Sequence, residues 1–141
     1  MRVYVDSSFL VTLYVQDRHS AEARRLMAIK PEVRLTPLNL AEFSHAVGQQ
    51  VFFGKISPPQ SDRVYHNFAK DRAAGVWLEA AMPESAFERC AEIGHRHSPK
   101  LGVRTLDSLH VACALELKAD QFWTFDERQS KLAKAEGLKT T

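Results

Sequence analysis

The sequence predicts an α/β fold, one domain over residues 1–141 with a central, mostly parallel sheet flanked by helices, and three observations predict it. Short β-rich runs alternate with segments of helical periodicity along the whole chain. The 141 residues, 45% of them hydrophobic, match one ordinary domain with a sizeable core. Neither a linker nor an internal repeat interrupts the pattern. Strands separated by helices pair in parallel and are covered on both faces. In such a sheet the site lies beyond the carboxyl ends of the strands, so the residues after each strand are the ones to inspect.

Arg2 to Val5 is a short β-rich run, and Asp6, Ser7 and Ser8 after it cap a helix carrying Phe9, Leu10, Leu13 and Tyr14. A second helix begins near Ser20, puts Ala23, Leu26 and Met27 on one face, and stops at Lys30 and Pro31 ahead of a strand over Val33 to Thr36. Pro37 marks the next turn. Leu40, Phe43, Val47 and Val51 then recur at helical spacing up to Gly54, and Ser57 with Pro58 and Pro59 opens a further helix toward Arg72. Gly75 to Glu79 reads as a strand, and Pro83 starts a helix carrying Phe87, Cys90, Ala91 and Ile93. Thr105 caps an almost wholly apolar helix, Leu106 to Leu117, whose lack of a polar face places it at the centre of the fold. Gln121 to Phe125 is the last long strand. Asp126 begins a polar helix ending near Gly137, and Leu138 to Thr140 adds an edge strand.

The net charge of +2 and the pI of about 8.6 are too mild to indicate nucleic-acid binding by themselves. No segment approaches the apolar length of a membrane span, and Met1 leads into a strand rather than a signal sequence, so a soluble, cytoplasmic protein is expected. Cys90 and Cys113 lie in apolar helical patterns without ligand spacing and read as buried free thiols.

Four carboxylates fall at one end of the predicted sheet. Asp6 follows the first strand, Glu42 lies early in the helix after the second, Asp107 is in the first turn of the apolar helix, and Asp126 follows the last long strand. Each alone also reads as a helix cap or a charge complementing a helix dipole. Together they predict repelling charges that a cation would offset, and oxygen ligands without His or Cys spacing suit Mg²⁺ or Mn²⁺. Ser7, Ser8 and Thr124 place hydroxyls beside the acids, and Arg104 is placed to meet a phosphate or neutralise the cluster. In so apolar a helix, His110 reads as a satisfied core histidine. Glu79, although it also follows a strand, reads as structural. The basic cluster at 95–100 offers Arg96 and Lys100 as substrate contacts, against the plainer reading of a solvated face. Val51, Phe52 and Phe53 form an apolar stretch that can cover a partner, with core packing the simpler explanation.

Val3-Tyr4-Val5-Asp6-Ser7-Ser8, Leu40-Ala41-Glu42-Phe43, Arg104-Thr105-Leu106-Asp107 with the following Ser108 to Ala112, and Trp123-Thr124-Phe125-Asp126-Glu127-Arg128-Gln129 resemble, in order and spacing, the acidic motifs of PIN domains, especially VapC-like toxins of type II toxin–antitoxin pairs. The resemblance covers essentially the whole chain. It implies a parallel sheet and a metal-dependent endoribonuclease in which Asp6, Glu42, Asp107 and Asp126 hold one or two Mg²⁺ or Mn²⁺ ions. It also implies a homodimer and a small cognate antitoxin as partner. A catalytically silent RNA- or protein-binding module and a single-strand DNA nuclease are the alternatives. A phospho-acceptor domain fits less well, because serines rather than a second acid follow Asp6 and the last long strand ends in Asp126 rather than lysine.

Overall fold

The computed structural model describes residues 1–141. Its elements in chain order are β1 (Arg2–Val5), α1 (Ser7–Tyr14), α2 (Ser20–Met27), β2 (Glu32–Leu35), α3 (Pro37–Phe52), α4 (Pro58–Ala73), β3 (Leu78–Glu79), α5 (Ser85–Leu101), α6 (Thr105–Glu116), β4 (Gln121–Trp123), α7 (Glu127–Ala135) and β5 (Lys139–Thr140). The strands form one sheet in the order β3-β2-β1-β4-β5, with every neighbouring pair parallel. The expected α/β architecture is therefore present.

Alternation along the central strands builds two cores, because successive side chains in a strand point to opposite faces. Val3 and Val5 of β1, Val33 and Leu35 of β2, and Trp123 of β4 pack with Phe9, Leu10, Phe43, Val47 and Phe68, so α1, α3 and α4 cover one face. Tyr4 and Phe122 point the other way, onto Ala86, Ile93, Val111, Ala112 and Leu132 from α5, α6 and α7. Truncating any of these large buried side chains to alanine is expected to cost about 3–5 kcal/mol. Ser108 through Ala114 of α6 are all buried, as an apolar helix between two others requires.

Side-chain caps decide where the helices begin. At the start of α3, the Thr36 backbone N–H and hydroxyl both donate to Asn39 Oδ1 at 2.7 and 2.9 Å, and Asn39 Nδ2 donates to the Val5 carbonyl at 2.7 Å. This ties α3 to the end of β1 and fixes Glu42, three residues on, above that strand end. Thr36 is thus a cap rather than the last strand residue. At α6 the capping position is Arg104, whose N–H donates to Asp107 Oδ2 at 3.1 Å, and Thr105 is already helical.

The edge is shorter than expected. Only Leu78 and Glu79 pair with β2, because Gly75 sits at φ 74 to close the turn after α4, and Trp77 is buried with its indole N–H donating to the Tyr14 hydroxyl. Cys90 and Cys113 are buried free thiols. No helix is long and apolar enough to cross a membrane.

Candidate active site

The strand order reverses at β1: β2 and β3 extend to one side, β4 and β5 to the other. The crevice above the carboxyl ends of β1 and β4 is therefore the switch point at which parallel sheets bind ligands. Asp6 stands there. Its N–H donates to the Trp123 carbonyl, carrying the ladder one residue past β1. Its carboxylate, 5% exposed, accepts from the Ser8 hydroxyl at 2.6 Å and the Phe9 N–H at 3.1 Å on Oδ1, and from the Thr124 hydroxyl at 2.5 Å on Oδ2.

One hydroxyl connects Asp6 to Asp126, and the remaining acids hold partners of their own. Thr124 Oγ1, besides donating to Asp6, accepts from the Asp126 N–H at 3.0 Å. Asp126 is the exposed cap of α7 and accepts from the Gln129 N–H at 2.9 Å, while Gln129 Nε2 donates to the Asp107 carbonyl at 3.2 Å. Asp107 is half-buried, caps α6 and lies 3.6 Å from the exposed Arg104 guanidinium. Glu42 is bonded to His110 Nε2, and His110 Nδ1 meets the Tyr4 hydroxyl at 2.8 Å. His110 is therefore the satisfied core histidine that its helix predicts, with Glu42 and Tyr4 as its partners.

These surroundings move the two innermost acids in opposite directions. Burial raises the Asp6 carboxyl above its ordinary value, and the Ser8 and Thr124 hydroxyls, the His110 charge and the Phe9 N–H only partly oppose it. Burial also raises Glu42, but there the His110 hydrogen bond and charge, with Ser7 and Arg104, outweigh it and leave the carboxyl low.

A sequence model of the PIN domain matches residues 3–135. The chain belongs to the PIN-domain family. No curated protein sequence matches it. Its PIN fold is similar to that of VapC20 from Mycobacterium tuberculosis, described as a toxin that cleaves the sarcin-ricin loop (TM-score 0.70, 21% identity, 96% of this chain and 95% of that one). It is also similar to FitAcB from Neisseria gonorrhoeae (TM-score 0.69, 14% identity, 98% and 95%) and to VapBC2 from Rickettsia felis bound to a fragment of its promoter DNA (TM-score 0.67, 12% identity, 100% and 98%). At these identities the likeness is one of fold.

In this PIN domain no three His, Cys, Asp or Glu side chains are gathered as a ready metal cage, since each candidate acid is turned to donors of its own. The donor chemistry still fits a hard divalent ion. All four groups offer oxygen, and a cation would relieve the cost of charging buried Asp6. Gln129 Oε1 is buried without a hydrogen-bond partner, on a residue whose N–H donates to Asp126 Oδ1 and whose Nε2 donates to the Asp107 main-chain carbonyl, which leaves one unused acceptor beside two of the candidate acids.

Of the supporting residues, Ser8 also accepts from the Phe125 N–H at 3.1 Å, and Ser7 lines a groove with Glu42. Lys100 and Arg104 line a second groove with Asp126, which also receives Arg128 and Lys131 from α7. Arg96 is not in that groove; its guanidinium holds Glu136 at 3.0 Å. Glu79 pairs with Arg72, as a structural residue does. Sequence reasoning places Arg128 and Gln129 within the last motif without giving them a role, and does not single out Lys131. For Gln129 a signal existed, the Asp126-x-x-Gln129 spacing of a capping box.

Proposed function

We propose that this PIN domain is a metal-dependent endoribonuclease, the toxin of a toxin–antitoxin pair, acting in the cytoplasm as a homodimer restrained by a small antitoxin. The observation that carries the nuclease reading is the buried Asp6 carboxylate at the β1/β4 switch point, joined through one hydroxyl to the backbone of Asp126. Family membership supports the chemistry. The toxin and antitoxin parts of the reading are supported by the fold likeness to VapC20, described as a sarcin-ricin loop cleaving toxin, and to VapBC2 and FitAcB.

Asp6, Asp107 and Asp126 would hold Mg²⁺ or Mn²⁺, with Glu42, on a longer side chain, touching the ion directly or through water. When bound, the ion lowers the pKa of a water and stabilises charge on the phosphate and on the departing oxygen. The chain supplies orientation. Ser8 and Thr124 hold Asp6, His110 holds Glu42, the Arg104 N–H holds Asp107 and the Gln129 N–H holds Asp126, so the acids present fixed oxygens rather than mobile ones. Arg104, 75% exposed beside Asp107, is free to swing to a substrate phosphate.

The test is cleavage by the purified chain, free of any partner, of RNA and of single-stranded DNA of the same sequence, with Mn²⁺, Mg²⁺ or chelator. RNA cleavage that requires the ion and falls to background in Asp6→Asn is expected. A folded protein that cuts no RNA with either ion, or cleavage that survives Asp6→Asn, would rule the proposal out.

A further inference from the structure

We infer that the open groove between the C-terminal turn of α5 and helix α7 binds the phosphodiester backbone of a single-stranded nucleic acid, and that Arg128 and Lys131 contact its phosphates. The inference deepens the nuclease reading, on which it rests for the class of substrate.

The groove encloses ≈ 770 Å³, and half of its eight lining residues are cations: Lys100 and Arg104 on one wall, Arg128 and Lys131 on the other. They face only two carboxylates, Asp126 and Glu127, and Asp126 is engaged in capping α7. Arg128 and Lys131 stand three residues apart, hence on one face of the helix. Of the four cations, Arg104 lies 3.6 Å from Asp107, whereas Arg128, Lys100 and Lys131 take part in no ion pair, as is also true of Arg18, Arg24 and Arg63 elsewhere; what sets the groove apart is the gathering of such cations in one channel. Uncompensated like charges facing one another across a channel are unfavourable until a polyanion lies between them.

The rest of the lining selects the occupant. Only two of the eight residues are hydrophobic, too few for the apolar face of a partner helix or for a small apolar ligand. One of those two is Phe125, which stacks between Phe9 at 5.5 Å and His19 at 4.5 Å and also lines the adjoining groove beyond Asp126. Both faces of that ring are taken by Phe9 and His19, so the groove offers an unpaired strand its cations rather than a stacking face, and a positively charged groove that tracks the backbone is the sequence-tolerant part of single-strand binding. The track ends at Asp126, so a strand lying in it is delivered to the candidate acids.

The test measures binding without cleavage, in an Asp6→Asn background, using fluorescent 15-mers of two unrelated sequences, each made as RNA and as DNA. Arg128→Gln with Lys131→Gln is compared with Arg63→Gln with Lys70→Gln, an equal loss of charge on α4 across the sheet, and thermal midpoints verify folding. We expect the groove pair to weaken binding roughly 10- to 100-fold on all four probes and to reduce the slope of log affinity against log salt by about 1.4, at about 0.7 per phosphate contact. Equal losses in the two double variants, a loss confined to one sequence or one sugar, or no binding to any probe would overturn the inference. Because cleavage is not read, a chain that binds through the groove but never cuts would defeat the nuclease reading and leave the groove assignment standing.

Discussion

His110 of α6 and Glu42 of α3 form a hydrogen-bonded pair across the top of the sheet, and the other imidazole nitrogen meets the hydroxyl of Tyr4 from β1. One buried side chain therefore joins the central strand, the central helix and a candidate site acid. His110→Ala opens a cavity and strands two polar partners, and is expected to lower stability by about 2–4 kcal/mol in denaturant unfolding. Cleavage should fall as well, because Glu42 loses its orienting partner.

Asp6 and Glu42 predict opposite pH dependences. Asp6 is raised in the folded chain, so its contribution is fully present below its unfolded pKa and is lost as pH rises through the folded value. Glu42 is lowered, so its contribution is present above the unfolded pKa and is lost as pH falls through the folded one. Between about pH 4 and pH 7, around and above the usual carboxylate range, Asp6→Asn should gain stability relative to the parent as pH rises. Glu42→Gln should lose it in a lower window, below about pH 5, where the lowered carboxyl titrates. Thermal midpoints in chelator across both windows check both signs, and added Mn²⁺ should raise the midpoint of the parent more than that of Asp6→Asn.

Thr124 contributes through its hydroxyl, which donates to Asp6 and accepts from the Asp126 N–H. Thr124→Val keeps the shape and removes both bonds, with an expected cost of about 1–3 kcal/mol in denaturant unfolding and a fall in cleavage. Thr124→Ser should restore most of each. If valine and serine behaved alike, the hydroxyl would have no part in the site.

Phe52 and Phe53, at the end of α3, are 82% and 64% exposed and pack edge to face on each other rather than into the core. Replacing both with glutamine should change stability by no more than about 0.5 kcal/mol, since neither is buried. Self-association, measured by light scattering over a concentration series, should decrease.

The four acids were legible in the sequence because strand ends and helix starts are local features. Asp6 and Asp126 stand at turns marked by the change from period two to helical spacing, and Asp107 sits in the first turn of a helix whose apolar surface announced its burial. What was not legible depends on pairing between distant residues. Glu42 and His110 are 68 residues apart, and Arg96 pairs with Glu136, which lies three elements further on, at the end of α7. Arg128 and Lys131 gain meaning only when α7 lies beside the end of α5. The β propensity of residues 75–77 yielded to a tertiary demand, the burial of Trp77 against Tyr14.

The central claim is that these carboxylates share an ion, and a Mn²⁺-soaked crystal examined by anomalous scattering tests it most directly. The prediction is a single strong peak, or a close pair, at the β1/β4 switch point, with at least two of Asp6, Glu42, Asp107 and Asp126 at about 2.0–2.2 Å, the range of short hard-ion contacts to oxygen. A folded, Mn²⁺-saturated crystal with no peak there, and with the four acids still turned to the partners they hold now, would contradict it.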